Sequence, residues 1–466
     1  MDKQSLLTVY KRLRKAASER DFTPKQRLAQ LAQLGDIVSH HQDELVQAVS
    51  QDYGHRHSAE TAVTELGLVF KTLRYTRKHL KQWTRPQRAA VNAELLPGKA
   101  WTQQVPRGLV GIISPWNYPL QLSLLPLIAA MAGGNRILLK PSELTPSTSQ
   151  LLRDLLHRNF KDDHIAVLLG DADVAAAFTQ LPMDHLFFTG STRTGKKVAA
   201  AAAKHLTPTT LELGGKSPVI IDHRYSLKKA AQHIVTGKWI NAGQTCIAPD
   251  YVLVPQDRVE ALKQQLIKLL LQRYANSNDY TAIINQAHFD RLQQWVDDAH
   301  QKGALVQPLA SITGRHARQF APTILTQVNN SMLLMQEEIF GPLLPLIGYA
   351  SEQDINTWLV QHPYPLAAYI FSHNKAFQEK YLDRIKAGGY TINGTLYHCS
   401  CETLPFGGLR GSGMGSYHAK AGFNTFTHER PVLKFGRIPS PVSLFKPPFD
   451  RTVIQKLTDS VTQWKR

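Results

Sequence analysis

The sequence predicts an α/β protein built on a doubly wound parallel sheet. From residue 109 to residue 204, short apolar segments alternate with segments of helical periodicity. The predicted strands are 109–113, 136–140, 165–169 and 185–188, and the predicted helices are 120–132, 147–156, 172–179 and 194–204. Uninterrupted apolar strands separated by helices are typical of a parallel sheet covered on both faces. Functional residues are expected at the carboxyl ends of these strands.

A second alternation predicts a second α/β unit. It contains strands 251–254, 343–347 and 367–370 and helices 259–274 and 287–301. Residues 5–82 have helical periodicity, with Leu6, Val9, Leu13 and Ala17 on one face. Residues 83–104 contain Pro86, Pro97 and Gly98 around short extended pieces, which predicts a projecting hairpin that serves as an assembly arm.

Composition and charge narrow the class of protein. The 466 residues are 43% hydrophobic and carry a formal charge of +18, which favours anionic partners such as dinucleotides. The basic residues are scattered and form no nucleic-acid-binding motif, so we expect no nucleic-acid partner. The longest apolar run, 120–132, is too short to span a bilayer, and no signal-peptide core is present at residue 1. We therefore expect a cytoplasmic protein without a transmembrane segment.

The cysteines indicate neither structural disulfides nor a metal site. The chain has three, and Cys399 and Cys401 flank a single serine, a spacing poorly suited to a disulfide. With His398 they could suggest metal ligands, but no second ligand pair occurs at the usual spacing. We therefore expect no metal, and a reducing compartment fits this cysteine usage.

The stretch 211–246 combines a carboxylate, a glycine pair and a thiol. Glu212 ends a β-branched, apolar segment that is typical of a buried strand, and two glycines follow it. A helix is predicted from Ser226, with Ala230, Ile234, Lys238 and Ile240 at helical spacing, before Gly243 ends it. Cys246 then lies where backbone N–H groups stabilise a thiolate. For an isolated Cys and Glu, the alternative is a small buried hydrophobe and a strand-end charge.

The sequence around Cys246 and Glu212 favours catalytic roles for both residues over this structural alternative. LELGGKSP at 211–218 and GQTC at 243–246 resemble the two active-site signatures of the aldehyde dehydrogenase superfamily. IAPDY at 247–251 resembles its class three branch, which includes the coniferyl aldehyde dehydrogenases, and the resemblance covers about 66–431. It implies the aldehyde dehydrogenase fold, with a Rossmann-like cofactor domain, an α/β catalytic domain and a small β oligomerisation arm.

The resemblance also implies domain boundaries. The NAD(P)-binding domain would comprise 1–82 and 105–210, and the catalytic domain 211–405. The arm would comprise 83–104 and 406–440, followed by a short amphipathic tail at 441–466 that includes Val453, Leu457 and Val461 and is not an anchor. The strand at 425–434 would pair with a neighbouring subunit, as in class three dimers, which predicts a homodimer.

Three catalytic roles follow from the resemblance. Cys246 would attack the aldehyde carbon, and the resulting oxyanion would be held by its backbone N–H and the side-chain amide of Asn117, which matches the family's Pro-Trp-Asn motif. Glu212 would be the general base that hydrolyses the thioester. The implied reaction is oxidation of an aromatic or medium to long-chain aliphatic aldehyde. A catalytically silent structural or nucleotide-binding relative and a coenzyme A-acylating enzyme remain alternatives.

The cofactor residues are implied in the same way. The usual G-x-G-x-x-G fingerprint is absent, but Gly190, Ser191 and Gly195 resemble the family's own nucleotide-binding turn at a helix start. Lys140 and Glu143 match Lys-Pro-x-Glu, whose side chains bind the adenosine ribose. The motif QEEIFGP resembles the family motif whose glutamate holds the nicotinamide ribose, which implies that role for Glu338. Phe340 in the same motif would contact the nicotinamide side of the cofactor. We expect NAD, with NADP as an alternative cofactor.

The substrate pocket is less defined by sequence. Tyr118, Trp239 and Ile240 flank the motif residues and could line an apolar tunnel. Apolar residues beside a core strand also serve as plain packing, and the sequence leaves both interpretations open.

Overall fold

The computed structural model of the chain describes residues 3–19 and 21–462. Its α-helices are, in chain order, α1 (Lys3–Glu19), α2 (Pro24–His40), α3 (Gln42–Tyr53), α4 (Ser58–Thr61), α5 (Gly67–Trp83), α6 (Pro119–Gly133), α7 (Pro146–Asn159), α8 (Ala172–Thr179), α9 (Thr192–Ala203), α10 (Leu227–Trp239), α11 (Val259–Tyr274), α12 (Gln286–Gln301), α13 (Leu333–Gln336), α14 (Glu352–Gln361), α15 (Lys375–Arg384), α16 (Ala419–Thr425) and α17 (Thr452–Thr462).

The strands form three sheets. In chain order they are β1 (Gln87–Ala89), β2 (Lys99–Pro106), β3 (Leu109–Ile113), β4 (Arg136–Lys140), β5 (Ile165–Val167), β6 (His185–Thr189), β7 (Thr209–Glu212), β8 (Pro218–Ile221), β9 (Tyr251–Pro255), β10 (Leu305–Pro308), β11 (Thr323–Thr326), β12 (Leu343–Tyr349), β13 (Ala367–Phe371), β14 (Gly389–Ile392), β15 (Gly413–Met414) and β16 (Thr427–Lys434).

The first α/β unit confirms the predicted doubly wound sheet. Its strand order is β15-β7-β6-β3-β4-β5, and all neighbours are parallel except β15, which pairs antiparallel with β7. Strands β3, β4 and β6 are buried throughout because helices cover both faces of the sheet. Helix α6 is buried along its whole length, as expected for a helix that is apolar all round. The carboxyl ends of β3, β4, β6 and β7 therefore meet along one edge.

The second α/β unit has the strand order β10-β11-β12-β9-β8-β13-β14, antiparallel only between β10 and β11. Strands β9, β12 and β13 were predicted, whereas β8, β10, β11 and β14 were not. Each of these four strands has four residues, which is too short for a clear hydrophobic periodicity. Strands β10 and β14 form the two edges of the sheet; β10 is largely exposed and β14 is largely half-buried.

The third sheet forms the arm. Strands β1 and β2 pair antiparallel and confirm the predicted hairpin, and β16 pairs with the other edge of β2 over its full length. Pairing of β16 with a neighbouring subunit stays a prediction, as do the domain boundaries. Strand β15, at 413–414, belongs to the six-stranded sheet although it falls within the predicted arm.

The prediction for the end of α10 was wrong. The helix ends at Trp239, and Ile240 lies in a separate 3-10 turn, Ile240–Gly243, with a left-handed backbone. Hydrogen bonds from distant parts of the chain hold this turn, which helical periodicity does not register.

The described residues contain no helix with the length and apolar content needed to cross a membrane. The predicted amphipathic tail includes α17, in which Ile454 is buried and Val453 is exposed. The side chains of Leu457 and Val461 and all of residues 463–466 lie outside the described residues.

Candidate functional site

A left-handed turn presents Cys246. Asn241, Ala242 and Gly243 have φ of 52°, 49° and 75°, respectively. A left-handed conformation costs a residue with a side chain about 1–2 kcal/mol, so surrounding contacts must hold the turn. The side-chain amide of Asn241 donates to the backbone oxygens of Asn117 (2.9 Å) and Gln244 (3.1 Å). Cys246 follows this turn and is partly buried.

Asn117 lies against the Cys246 loop. It follows β3, is 3% exposed, and donates from its side-chain nitrogen Nδ2 to the backbone oxygen of Gln244 at 3.2 Å. Its backbone oxygen accepts from the hydroxyl of Tyr53 at 2.8 Å. An amide nitrogen carries two hydrogens, so this side chain has a second donor for a substrate oxygen. The structure therefore brings Asn117 and Cys246 together.

Gln244 and Thr245 of the GQTC segment hold the Cys246 loop through hydrogen bonds to other parts of the chain. Gln244 donates to the backbone oxygen of Ala282 at 3.1 Å and accepts from the backbone nitrogen of Ile284 at 3.0 Å. The hydroxyl of Thr245 lies 2.6 Å from that of Tyr118, which is buried. Sequence reasoning missed the role of Gln244, although the residue stands within the quoted signature. Tyr118 thus contacts the loop through Thr245, and its role in lining the substrate pocket stays a prediction.

Glu212 is a buried carboxylate at the end of β7. It is 2% exposed, and no group among the described residues hydrogen-bonds either of its carboxylate oxygens. Burial raises its pKa well above the ordinary value, because the charged form is desolvated. Both oxygens are therefore free to accept a proton or a water.

The thiol and this carboxylate lie within electrostatic reach. Burial raises the pKa of the Cys246 thiol strongly, and the charges of Glu338, Cys399 and Glu212 raise it further. Burial raises the pKa of Tyr417, and the charges of Glu212 and Cys246 raise it further. Tyr417 was not predicted as a site residue, and its only sequence signal is its position just after the GSGMG segment at 411–415.

Glu338 faces the glycine pair after Glu212. A Cβ on Gly214 would lie 1.9 Å from a carboxylate oxygen of Glu338, so only glycine fits there. The other oxygen, Oε1, is buried without a hydrogen-bond partner among the described residues. Burial, and next the charge of Asp250, raise the pKa of Glu338 to about 8. A ligand hydroxyl would satisfy the unpaired oxygen.

A buried ion pair fixes the segment that carries Glu338. The ammonium of Lys216 pairs with Asp250 and donates to the backbone oxygens of Leu334 (2.7 Å) and Glu337 (2.9 Å). The other oxygen of Asp250 accepts from the backbone nitrogen of Ile339 at 2.9 Å. Lys216 and Asp250 stand within quoted motifs, but their pairing across 34 positions has no local sequence signal.

Phe340 lies on the same side as the motif that contains Asn117. Its ring packs edge-on against Trp116, with centroids 5.3 Å apart. Its φ of 47° is left-handed, which for a bulky residue indicates a conformation imposed by its surroundings. Glu338 thus contacts the glycine pair after Glu212, and Phe340 contacts the motif that contains Asn117.

Lys140 and Glu143 lie together at the end of β4. Lys140 is 1% exposed, and its ammonium donates to a carboxylate oxygen of Glu143 at 2.9 Å. The Glu143 side chain is 43% exposed, so its second oxygen faces outward. A buried ammonium beside an accessible carboxylate suits neighbouring ribose hydroxyls, which can accept from one and donate to the other.

The glycine turn after β6 is tightly packed. The Ser191 hydroxyl accepts from the backbone nitrogen of Thr194 at 3.3 Å and caps α9. A Cβ on Gly190 would lie 2.6 Å from the ring of Phe188, and one on Gly195 would lie 2.6 Å from Leu213. The backbone nitrogen of Gly190 donates to the backbone oxygen of Glu212 at 3.0 Å. The helix start and the carboxylate strand are therefore directly connected.

The two remaining predicted pocket residues, Trp239 and Ile240, differ in their burial and contacts. Trp239 is 1% exposed, and its indole nitrogen donates to the backbone oxygen of Pro342 at 3.2 Å. These contacts favour the packing interpretation for Trp239. Ile240 is half-buried at the kink after α10, and its lining role stays a prediction.

These residues fit a dinucleotide. The buried unpaired oxygen of Glu338, the paired Lys140 and Glu143, and the helix start at Ser191 all lie at carboxyl ends of strands or beside them. Dinucleotides bind at that edge of an open parallel sheet, with the pyrophosphate at a helix N-terminus. The geometry supports the predicted cofactor residues, whose roles remain a proposal.

Comparison with known proteins identifies the family. The model of the aldehyde dehydrogenase family matches residues 8–432. A probable coniferyl aldehyde dehydrogenase of Pseudomonas aeruginosa is 44% identical over 93% of this chain and 90% of its own. Aldehyde dehydrogenase family 3 member H1 of Arabidopsis thaliana is 39% identical over 87% of this chain and 84% of its own.

Solved structures agree. A substrate-bound AldH of Staphylococcus aureus superposes with a TM-score of 0.92 at 35% identity, covering 98% of this chain and 99% of that one. An NAD⁺ complex of an aldehyde dehydrogenase from Bacillus cereus has a TM-score of 0.83 at 25% identity, covering 93% and 89%. The chain therefore belongs to the aldehyde dehydrogenase family, in its class three branch, and is an NAD(P)-dependent oxidoreductase that oxidises aldehydes to acids. The predicted fold, family and reaction are confirmed.

The raised pKa of Glu338 predicts how stability depends on pH. Between the ordinary carboxyl pKa of 4.5 and about 8, the folded state keeps a proton that the unfolded state has released. The free energy of unfolding should therefore fall as pH rises through this window, and Glu338→Gln should flatten the fall. Urea unfolding of both proteins without cofactor, at several pH values from about 5 to 8, measures it. Equal slopes would contradict the assignment.

Proposed function

We propose that Cys246, Asn117 and Glu212 carry the aldehyde oxidation. The observation that supports this most directly is their convergence: one loop contact joins Asn117 to the Cys246 segment, and the charge of Glu212 acts on the thiol. A thiol, an amide donor and an unpaired carboxylate are the groups that acyl chemistry through a thioester requires.

Attack on the aldehyde is the first step. The Cys246 sulfur loses its proton and bonds to the carbonyl carbon, and the carbonyl electron pair becomes an oxyanion on the substrate oxygen. The second amide hydrogen of Asn117 and the backbone N–H of Cys246 stabilise that charge. Burial raises the pKa of Cys246, so this step needs a proton acceptor: bulk water, or Glu212 if its removal slows the first turnover as well.

Release of the acid is the second step. Collapse of the oxyanion would break the carbon–hydrogen bond and release a hydride, for which the bound nicotinamide would supply the acceptor, and an acyl group would remain on Cys246 as a thioester. Glu212 takes a proton from water, whose oxygen bonds to the acyl carbon while the carbon–sulfur bond breaks, and the products are a carboxylic acid and a free thiol. Its unpaired oxygens and raised pKa suit a group that must hold and release a proton.

The dinucleotide has a defined place in this scheme. When bound, its nicotinamide supplies the hydride acceptor that side chains lack. Glu338 would hold the nicotinamide ribose and Phe340 would contact the nicotinamide side. Lys140 and Glu143 would bind the adenosine ribose, and Gly190, Ser191 and Gly195 would receive the pyrophosphate at the start of α9.

NAD is proposed as the better cofactor, with measurable NADP activity. The outward oxygen of Glu143 accepts from a free 2′-hydroxyl and repels a 2′-phosphate, while the neighbouring ammonium of Lys140 reduces that repulsion. Glu143→Gln should therefore shift the preference towards NADP, by roughly tenfold for a change of about 1.4 kcal/mol. The ratio of kcat/KM for the two cofactors measures this. An unchanged ratio would show that Glu143 does not face the ribose.

An apolar aldehyde, aromatic or long-chain, is proposed as the substrate. The Pseudomonas aeruginosa relative is named for coniferyl aldehyde, which favours an aromatic substrate. A relative of Staphylococcus aureus at 38% identity is named for 4,4′-diaponeurosporen-aldehyde, which favours a long conjugated chain. A panel of aromatic and aliphatic aldehydes ranked by kcat/KM decides between them.

The same panel tests the proposed reaction. NADH absorbance is followed with each aldehyde, with and without coenzyme A. Acid formation independent of coenzyme A supports hydrolysis by Glu212. A requirement for coenzyme A would favour acyl transfer, and absence of turnover with every aldehyde would favour a silent relative.

Assembly, location and domain boundaries complete the proposal. We infer a homodimer in which β16 extends a neighbouring sheet, because its outer edge carries unpaired backbone groups after β2 has paired with the other edge. Cysteine usage supports a cytoplasmic location. The boundaries at 82, 104, 210, 405 and 440 remain predictions, and limited proteolysis tests them.

A further inference from the structure

A group of buried charges lies behind the Cys246 loop and has no role in the reaction described above. Arg56 is 1% exposed, and its guanidinium lies 2.9 Å from a carboxylate oxygen of Glu65 and 3.4 Å from one of Glu60. Its carbon centre also lies over the rings of Tyr53 and Tyr118, at 5.4 and 4.9 Å. The side chains of Arg56 and Glu65 are fully buried and that of Glu60 is 14% exposed; taking such charges out of water is costly, so a well-defined geometry must depend on them.

The local backbone turns both carboxylates towards Arg56. Residues 58–61 are α-helical, and Ala62–Leu66 form a π-helical turn before α5. Glu65 lies in this turn and Glu60 in the α-helical residues before it, and both side chains face Arg56. Such widened turns are frequent at functional sites.

Each carboxylate holds a different part of the site. Glu65 accepts from the backbone nitrogens of Leu120 (2.7 Å) and Gln121 (3.1 Å), in the first turn of α6 just after Asn117. Glu60 accepts from the backbone nitrogen of Asn241 at 2.7 Å and from the Thr281 hydroxyl at 3.0 Å. Glu60 and Glu65 therefore hold the two segments that carry the proposed oxyanion donor, Asn117, and the thiol of Cys246.

The backbone oxygen of Asn117 joins these two segments. It accepts from the Tyr53 hydroxyl at 2.8 Å and from the side-chain amide of Asn241 at 2.9 Å. Asn241 thus connects to Glu60 through its backbone and to Asn117 through its side chain. Removal of the Glu60 contact frees the strained left-handed Asn241 to relax, which leaves the side chain of Asn117 with its hydrogen bond to Gln244 but without a fixed Asn241 beside it.

We propose that Glu60, supported by Arg56 and Glu65, is a positioning residue: through Asn241 it holds the Asn117 amide and Cys246 at the spacing that one substrate oxygen and carbon require. The inference rests on the proposed roles of Cys246 and Asn117. Glu60 touches neither substrate nor cofactor. It acts on the geometry of the first chemical step and not on the affinity for the dinucleotide, whose predicted contacts lie on other segments.

The test is the NADH burst of a single turnover, measured on the full-length protein with NAD and an active aldehyde. Glu60→Ala should lower the burst rate about 10- to 100-fold, because a misplacement of about 1 Å costs that much, with Kd for NAD changed less than about threefold. Glu60→Gln should recover most of the rate, since its amide oxygen still accepts from Asn241 and its nitrogen donates to Thr281.

Asp184 provides a matched control. It also binds an arginine, Arg14 at 2.6 Å, and a backbone nitrogen, that of Leu109 at 2.7 Å, but at the amino ends of β3 and β6, away from the site. Asp184→Ala should lower the melting temperature and leave the burst rate unchanged. A rate loss in Glu60→Ala no larger than in Asp184→Ala at equal loss of stability would overturn the inference, as would a Glu60→Gln variant as slow as Glu60→Ala.

Tyr53→Phe keeps the test decisive if Glu60→Ala does not fold. It removes one hydroxyl from the Asn117 backbone oxygen and should slow the burst by about 3- to 10-fold at unchanged NAD affinity. A normal burst in this variant would overturn the inference. If wild type itself gives no aldehyde-dependent NADH, the proposed function fails; an active wild type with unaffected variants refutes the positioning role alone.

Discussion

Cys246→Ala should abolish aldehyde oxidation and leave the fold and cofactor binding intact. The substitution removes the sulfur that bonds to the aldehyde carbon, so kcat should fall at least about a thousandfold, as removal of a covalent nucleophile does. Cys246 is a partly buried residue that packs against the hydrophobic core, and loss of one sulfur atom there should leave the core in place. The measurements are steady-state NADH formation, melting temperature and Kd for NAD.

Cys401→Ala is the matched control, because this thiol lies at the surface, where its hydrogen bond with Thr403 lowers its pKa. It should retain full activity. Turnover by Cys246→Ala would refute the nucleophile assignment, and loss of NAD binding together with activity would point to a structural role for the thiol.

Glu212→Gln should separate the two halves of the reaction. The amide keeps the shape of the carboxylate but cannot accept a proton, so the thioester should form and persist. The first turnover should release NADH in a burst, and steady-state turnover should fall by about 100- to 10,000-fold. Rapid mixing followed by mass spectrometry of the acylated Cys246 measures both.

The pH profile sharpens the same experiment. Burial raises the pKa of Glu212 well above its ordinary value, so steady-state turnover of the wild type should increase as rising pH removes this proton. The residual turnover of Glu212→Gln should lack that increase. Equal loss of burst and steady state would assign Glu212 to deprotonation of the thiol in the first step.

The sequence predicted those parts of the fold and site that depend on neighbouring residues. Strands β3, β4 and β6 are continuous apolar runs, so their bounds followed closely from hydropathy. Cys246, Glu212 and Asn117 each lie in a short motif whose sequence resembles that of the family. The carboxyl edge of the first parallel sheet brings Asn117 and Glu212 together, because strand direction decides which ends meet, whereas Cys246 reaches them on the turn after α10.

Other features depend on contacts between distant positions. Glu60 and Asn241 are 181 residues apart, and no periodicity indicates that one holds the other. The left-handed turn at 241–243 exists because of such contacts, and for this reason the helical prediction for Ile240 failed. The four-residue edge strands were missed because their burial depends on neighbours that local hydropathy does not contain.

The pairing of β15 with β7 bears on how the chain folds during synthesis. The strand that ends in Glu212 finds its last neighbour at Gly413, about 200 residues later. At a translation rate of 5–20 residues per second, a nascent chain would expose this open strand edge for roughly 10–40 s. An unpaired edge in an incomplete chain is a site for aggregation. Chaperone demand should therefore be concentrated in this interval, before the second α/β unit is complete.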